Sequence, residues 1–189
     1  MIFEALNFIS EEINEYFRNK LKVKEDKVVL SAIVDHKGDT AVDGTNKIIL
    51  TLINIEKENS FIRTQGITKI PVAASDPLQL NLYLMFSAYF SRGNYEESLR
   101  FISFILAFFQ GKNVFNQQNS PALDHRIEKL IFDLQSYSQD QVNNIWASLG
   151  AKYMPSVVYK MRMLNIDDSI IREYRPTISN IDHDSSTGG

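Results

Sequence analysis

The sequence predicts an α/β (α+β) fold: a single mixed, mainly antiparallel sheet of about five strands flanked by helices, with an extended C-terminal arm. Three observations carry this. Residues 2–22 repeat apolar side chains at steps of three and four (Ile2, Leu6, Ile9, Ile13, Phe17, Leu21), the stripe of a helix lying on a core. From Leu78 to Phe90 apolar and other residues alternate without a break, the period of a strand. The periodic segments follow in the order α, β, β, β, α, β, α, β, which suits one sheet with helices packed on it.

The opening helix has acidic residues early (Glu4, Glu11) and basic ones late (Arg18, Lys20, Lys22), as the helix dipole favours. Residues 28–34 (VVLSAIV) read as a β-branched strand. The segment Asp35 to Asn46, with Gly38 and Gly44, reads as a long hairpin connection, so the first two strands are expected to pair antiparallel. Residues 47–57 form the second strand. Ile49, Thr51, Ile53 and Ile55 would line one face and Ile48, Leu50 and Leu52 the other, the pattern of a strand covered on both sides. Residues 59–76 are irregular, with a short strand expected around Phe61–Arg63.

After the alternating strand, Asn94 with Glu97 three residues on reads as a capping box opening a helix that ends at Gly111. Leu99, Ile102, Ile105, Leu106 and Phe109 would form its buried face, while Phe101, Phe104 and Phe108 widen the apolar girth. Residues 112–124 read as a polar loop and 128–135 as a strand. Ser138 with Gln141 caps a short helix whose stripe is Val142, Ile145, Trp146 and Leu149, and Gly150 supplies the left-handed residue after it. A last strand, Ser156 to Leu164, carries Val157, Tyr159, Met161 and Met163 on one face and Lys160 and Arg162 on the other. These elements make a domain over residues 1–164, followed by an arm and acidic tail over 165–189.

Charge narrows the functional classes. Residues 1–164 balance basic and acidic side chains. The tail sets Arg172 and Arg175 against Asp167, Asp168, Glu173, Asp182 and Asp184, so the whole net charge of −3 lies there. No basic stripe exists to hold phosphates, which argues against nucleic acid as a partner. Absence of cysteine removes disulfide and thiol chemistry. The most apolar stretch, Phe101 to Phe109, is too short to span a bilayer. The N-terminal stretch lacks the basic start and continuous apolar run of a signal peptide. The expectation is a protein made in the cytoplasm, without membrane insertion.

No catalytic motif stands in the chain: no P-loop, GxGxxG, GxSxG or HExxH. Each histidine follows an aspartate (Asp35-His36, Asp124-His125, Asp182-His183), but adjacent side chains diverge, and a metal site needs converging ligands. The acidic pairs Glu11-Glu12, Glu96-Glu97 and Asp167-Asp168 read as solvated or dipole-facing carboxylates. Trp146, on an apolar stripe, reads as a core anchor. The reading is a non-enzyme with no catalytic residue, cofactor or metal.

Ile170, Ile171, Tyr174, Ile178 and Ile181 give residues 170–182 strand-forming content without a pattern tying them to the core. Such a segment can add a strand to a neighbour's sheet; it reads equally well as an unstructured tail. Two polar loops, Asp35–Asn46 and Asn113–Asp124, have no evident packing role. Asp35, His36, Asp39, Asp43, Asn116, Gln118 and Asp124 are therefore candidate contacts to other molecules.

Several stretches together resemble a known family. IFEALNFISEEINEYF, LQLNLYLMFSAYF with NYEESLRFISFILAFFQ, and most specifically WASLGAKYMPSVVYKMRML are similar to the cap, or tail-terminator, proteins of extracellular contractile injection systems of the antifeeding-prophage and virulence-cassette type. The resemblance covers residues 1–182. It implies a phage tail-terminator-like fold and a sixfold ring that closes the inner tube, joins the last sheath layer partly through extended arms, and stops polymerisation. It implies as partners copies of itself, the tube protein, the sheath protein and further cap proteins. The particle would be assembled in the cytoplasm and then released. Competing readings are a tail terminator or head–tail connector of an ordinary phage, a regulatory adaptor bound by strand addition, and, more remotely, a small ligand-binding domain or enzyme.

Overall fold

Helix α1 (Ile2–Leu21) buries the predicted stripe: Leu6, Ile9, Ile13 and Phe17 are inaccessible or nearly so, and Ile2 and Leu21 pack at its margins. It ends at Lys22 in the left-handed conformation (φ 58°). The computed structural model describes residues 1–58 and 79–165. The strand expected around Phe61–Arg63 lies outside the described residues, as do the arm residues Ile170, Ile171, Tyr174, Ile178 and Ile181.

The described residues form one six-stranded sheet of β1 (Val28–Leu30), β2 (Lys47–Lys57), β3 (Gln79–Tyr89), β4 (Val114–Asn116), β5 (Ile127–Gln135) and β6 (Ser156–Asn165), ordered β1-β2-β3-β6-β5-β4. All neighbours pair antiparallel except β1 with β2. Mixed, mainly antiparallel pairing is as expected, but the pairing of the first two strands is not. They run parallel, with Val28 beside Ile48 and Leu30 beside Leu50. The predicted strand 28–34 stops at Leu30 because Ile33 and Val34 leave the sheet to join a second core around Trp146. The chain then closes a small turn, in which Val34 bridges Thr40 and Ala41 N–H donates to Ile33 C=O at 3.1 Å, before returning to start β2 beside β1.

Helices α1 and α2 (Tyr95–Gly111) cover one face of the sheet; α3 (Gln139–Ser148) covers part of the other. The main core joins Phe8, Phe17, Phe101, Phe108 and Phe109 of the helices to Leu82, Leu84, Phe86, Phe132, Tyr159 and Met161 of the strands. Phe109 is its hub, with ring centroids 4.4 Å from Tyr159, 4.6 Å from Phe132 and 5.6 Å from Phe86. This corrects the predicted phase of α2. Ile102, Ile105 and Phe109 are buried as expected, but Phe101, Phe108 and Ser98 share that face, Leu106 is half-buried and Leu99 is 43 % exposed. Large rings bury more apolar area per position than leucines, so the aromatic face turns inward.

Three further local corrections follow from geometry. The register shifts between Leu52 and Asn54, which puts Ile55 opposite Leu82 and so on the face of the helices, not with Ile49. Asn94 holds the N-cap position without a side-chain cap bond; its Nδ2 donates instead to Ser91 Oγ at 3.0 Å and Asn46 Oδ1 at 3.3 Å. The segment 112–124, read as a loop, contains β4 with Phe115 fully buried. By contrast, the Ser138–Gln141 capping box, the positive φ (66°) of Gly150 and burial of Trp146 are as read from the sequence.

Phe109→Ala is expected to lower the unfolding free energy by about 3–5 kcal/mol and Leu99→Ala by less than about 0.5 kcal/mol. Urea denaturation of both variants checks this; equal losses would contradict the observed phase of α2.

Candidate interaction surface

The two predicted contact loops sit at opposite ends of the sheet. β2 begins at Lys47 opposite Tyr89 and ends at Lys57 opposite Leu80; β5 begins at Ile127 opposite Asn165, and β6 begins at Ser156 opposite Ser87. The Asp35–Asn46 segment therefore lies at the end where β6 starts, and the β4–β5 connection at the end where β6 finishes. Ten strand residues separate those ends, about 30 Å of extended chain.

At the first end, Asp35 is committed to its own turn. Its Oδ1 accepts from Lys37 N–H at 2.8 Å and Asp39 N–H at 2.9 Å, and its backbone N–H donates to Asp39 C=O at 2.8 Å. Gly38 makes the turn with φ +85°. His36, Asp39 and Asp43 project into solvent. Asn46, unremarked in the sequence, ties this segment to the β3–α2 turn: its Oδ1 accepts from Ser91 N–H at 3.1 Å and from Asn94 Nδ2 at 3.3 Å.

At the second end the premise of an idle loop fails. Phe115, Ser120 and Leu123 are buried, and Lys112 Nζ binds Ser120 Oγ at 2.9 Å and Asn119 C=O at 3.1 Å while lying 4.6 Å over the Phe115 ring. Asn116 Oδ1 accepts from Gln118 N–H at 2.9 Å, leaving the Gln118 side chain exposed. Asp124 is gripped by Arg126: Oδ2 accepts from the guanidinium at 2.6 Å, and Oδ1 accepts from Nε at 3.0 Å and from the backbone N–H at 2.9 Å. These side-chain bonds, then the backbone bond, hold the Asp124 carboxyl well below the usual carboxylate range.

What the fold assembles is a groove at the first end, with a volume of about 740 Å³. Three segments far apart in sequence wall it: Val34 from the β1–β2 segment, Arg92 from the β3–α2 turn with Tyr95 at the start of α2, and Gly150, Tyr153 and Pro155 between α3 and β6. Tyr95 is 62 % exposed and Tyr153 67 % exposed, the latter set edge-on to Trp146 at 5.7 Å. Gly150, Tyr153 and Pro155 belong to the block that carried the family resemblance most specifically. Arg92 and Tyr95 were missed because a turn residue and the exposed first residue of a helix add nothing to a periodic signal.

The rest of the α3-side face is polar, as Lys160 and Arg162 foretold. Arg162 bonds Asp133 at 3.0 Å, Lys160 lies 3.9 Å from Glu58, and Tyr83 donates to Glu56 Oε2 at 2.8 Å. Burial, reinforced by that bond to Glu56, pushes the Tyr83 phenol up to about 12. Among the described residues no group of three or more His, Cys, Asp or Glu could hold a metal ion. No helix among them is long and apolar enough to cross a membrane.

Residues 4–180 match the family described as the Pvc16 N-terminal domain. The chain belongs to this family. Among solved structures it is similar to the sheath/tube terminator of the PVC extracellular contractile injection system in its extended state, with TM-score 0.57 and 10% identity over 89% of this chain and 57% of that one. It is also similar to the tube-terminating cap of the anti-feeding prophage, with TM-score 0.48 and 13% identity over 85% of this chain and 55% of that one. The Pvc16-domain chain thus spans a little over half the length of the structures it resembles. At this identity the first likeness is one of fold, and it agrees with the resemblance read from the sequence. No curated protein matches the chain.

Asp124→Asn is expected to cost about 1 kcal/mol at pH 7, the worth of an ordinary hydrogen bond. Because the folded-state pKa of Asp124 is depressed, its contribution is present above the unfolded carboxylate value and lost as pH falls through the folded one. The variant should therefore lose less stability than the wild type between about pH 4 and pH 2. Urea midpoints across that range, with identical slopes for both proteins as the contrary result, decide it.

Proposed function

We propose that this domain is a structural cap that ends the inner tube and sheath of a phage-tail-like contractile injection system, stopping polymerisation and holding tube and sheath together. The observation that carries this is the family match over residues 4–180 together with a fold shared with a sheath/tube terminator over 89% of the chain. Its working form is a sixfold ring of copies, with tube protein, sheath protein and further cap proteins as partners. It performs no catalysis and uses no cofactor. Assembly takes place in the cytoplasm, and the ring leaves with the particle.

Ring closure by rotation needs two different surfaces on each subunit, one meeting the other on the next copy. The exposed His36, Asp39 and Asp43 at one end of the sheet, and the exposed Gln118 beside half-buried Asn116 and Asp124 at the other, supply two such surfaces about a strand length apart. The domain over 1–164 forms the ring body, and residues 165–189, with Ile170, Ile171, Tyr174, Ile178 and Ile181, form an arm that adds a strand to a neighbouring protein.

Deleting the gene should leave particles with tubes and sheaths of uncontrolled length in electron micrographs; normal length control would exclude a terminator. Replacing Asp39 and Asp43 together by lysine should shift purified protein from ring to monomer in mass photometry, with or without tube protein. Unchanged rings and unchanged tube binding would remove the Asp35–Asn46 segment from the contact surface. Asp35 is spared in this variant because the turn depends on it.

A further inference from the structure

A sheet can be extended wherever an outer strand offers unpaired backbone N–H and C=O groups, and an incoming strand is recognised first by those groups. In this domain asparagines meet several of those groups. Val28 in β1 points its N–H and C=O away from β2, toward α1. Asn14, 5 % exposed on α1, meets both: Oδ1 accepts from Val28 N–H at 2.8 Å and from Lys27 N–H at 2.9 Å, and Nδ2 donates to Val28 C=O at 2.9 Å. A side-chain amide has one donor side and one acceptor side, like a peptide group. Asn14 therefore occupies the place of a neighbouring strand's backbone.

The opposite margin repeats the arrangement with unrelated residues. Val114 and Asn116 of β4 face away from β5. Asn119 Nδ2 donates to Val114 C=O at 2.9 Å, Asn119 Oδ1 accepts from Asn116 N–H at 3.0 Å, and Asn116 C=O is taken by Ser120 N–H at 2.9 Å. Where β2 outruns β1, Asn54 Oδ1 accepts from Ile55 N–H at 2.9 Å beside the register shift, which distorts that stretch of edge as well.

We propose that Asn14 and Asn119 seal the two margins of the sheet against strand addition, so that this domain can donate an extended segment but accepts none. The acceptor of the 170–182 segment is then a different chain, not a second copy of this one. Joined to the reading of the domain as a filament end, on which this consequence rests, the seal gives growth a place to stop: a subunit offering a strand finds both Val28 groups, both Asn116 groups and the Val114 C=O already taken.

The test uses a fluorescein-labelled synthetic peptide of residues 168–182 and the full chain, as wild type, N119A and N119D. Alanine opens both backbone groups of β4; aspartate keeps the acceptor for Asn116 N–H and withdraws the donor for Val114 C=O. Wild type should show no saturable anisotropy change. N119A should bind at least about tenfold more tightly, with new hydrogen-exchange protection at β4, and N119D should fall between. Circular dichroism identifies folded variants, and if N119A does not fold, N119D and the wild-type measurement decide. Saturable wild-type binding with protection at β1 or β4 overturns the proposal, and so do folded variants that refuse the peptide as the wild type does. The assay needs no ring, so its failure is read separately from failure of the cap reading, which the particle-length experiment reports.

Discussion

Central strands β3 and β6 have to be covered on both faces, and the rest of the architecture follows from how that cover is divided. Leu82, Leu84 and Phe86 of β3 and Tyr159, Met161 and Met163 of β6 meet α1 and α2 on one side. Met85 and Val158 meet α3 on the other. Two helices, α1 with 20 residues and α2 with 17, cover most of the first face; α3, with 10 residues, covers only part of the second. The uncovered remainder has to be polar, and Glu56, Tyr83, Asp133, Lys160 and Arg162 make it so through paired charges and hydrogen bonds. Surface character is thus set by helix length as much as by local composition.

The same division creates the groove. Because α3 stops at Ser148 and the chain turns through Gly150 to reach β6, Tyr153 is left outside the second core, leaning on Trp146. The turn between β3 and α2 brings Arg92 and Tyr95 alongside it. Exposed aromatic rings next to a cationic side chain are characteristic of protein contact surfaces. The groove stands at the end of the sheet that also carries the Asp35–Asn46 segment, which concentrates candidate contacts there. At the other end, Lys112, Asn119, Asp124 and Arg126 are engaged within the domain and make a rigid surface from a segment that reads as idle.

Much of the candidate interaction surface was legible one residue at a time but not as a surface. Gly150, Tyr153 and Pro155 stood out in the sequence, as did the solvated character of His36, Asp39 and Asp43. Their neighbours in space, Arg92 and Tyr95, come from the turn into α2 and its first residue, about sixty residues upstream of Tyr153, where periodicity has nothing to report. The roles of Asn14, Asn46 and Asn119 were equally silent. A buried asparagine on a helix stripe looks like a flaw in amphipathicity until the backbone it serves is known.

By itself, the sequence determined the elements, because element type is a matter of local period: the helical stripe of α1, the alternation of β3, the capping box of α3 and the polar and apolar faces of β6 are all written in neighbouring residues. Only the tertiary structure decided that β1 runs parallel to β2, that α2 turns Phe101 and Phe108 inward in place of Leu99, and that residues 114–116 make a sixth strand. Each of those depends on partners distant along the chain. A parallel neighbour, a shared aromatic core or a sheet margin closed by a side-chain amide is a choice among long-range contacts that no local period encodes.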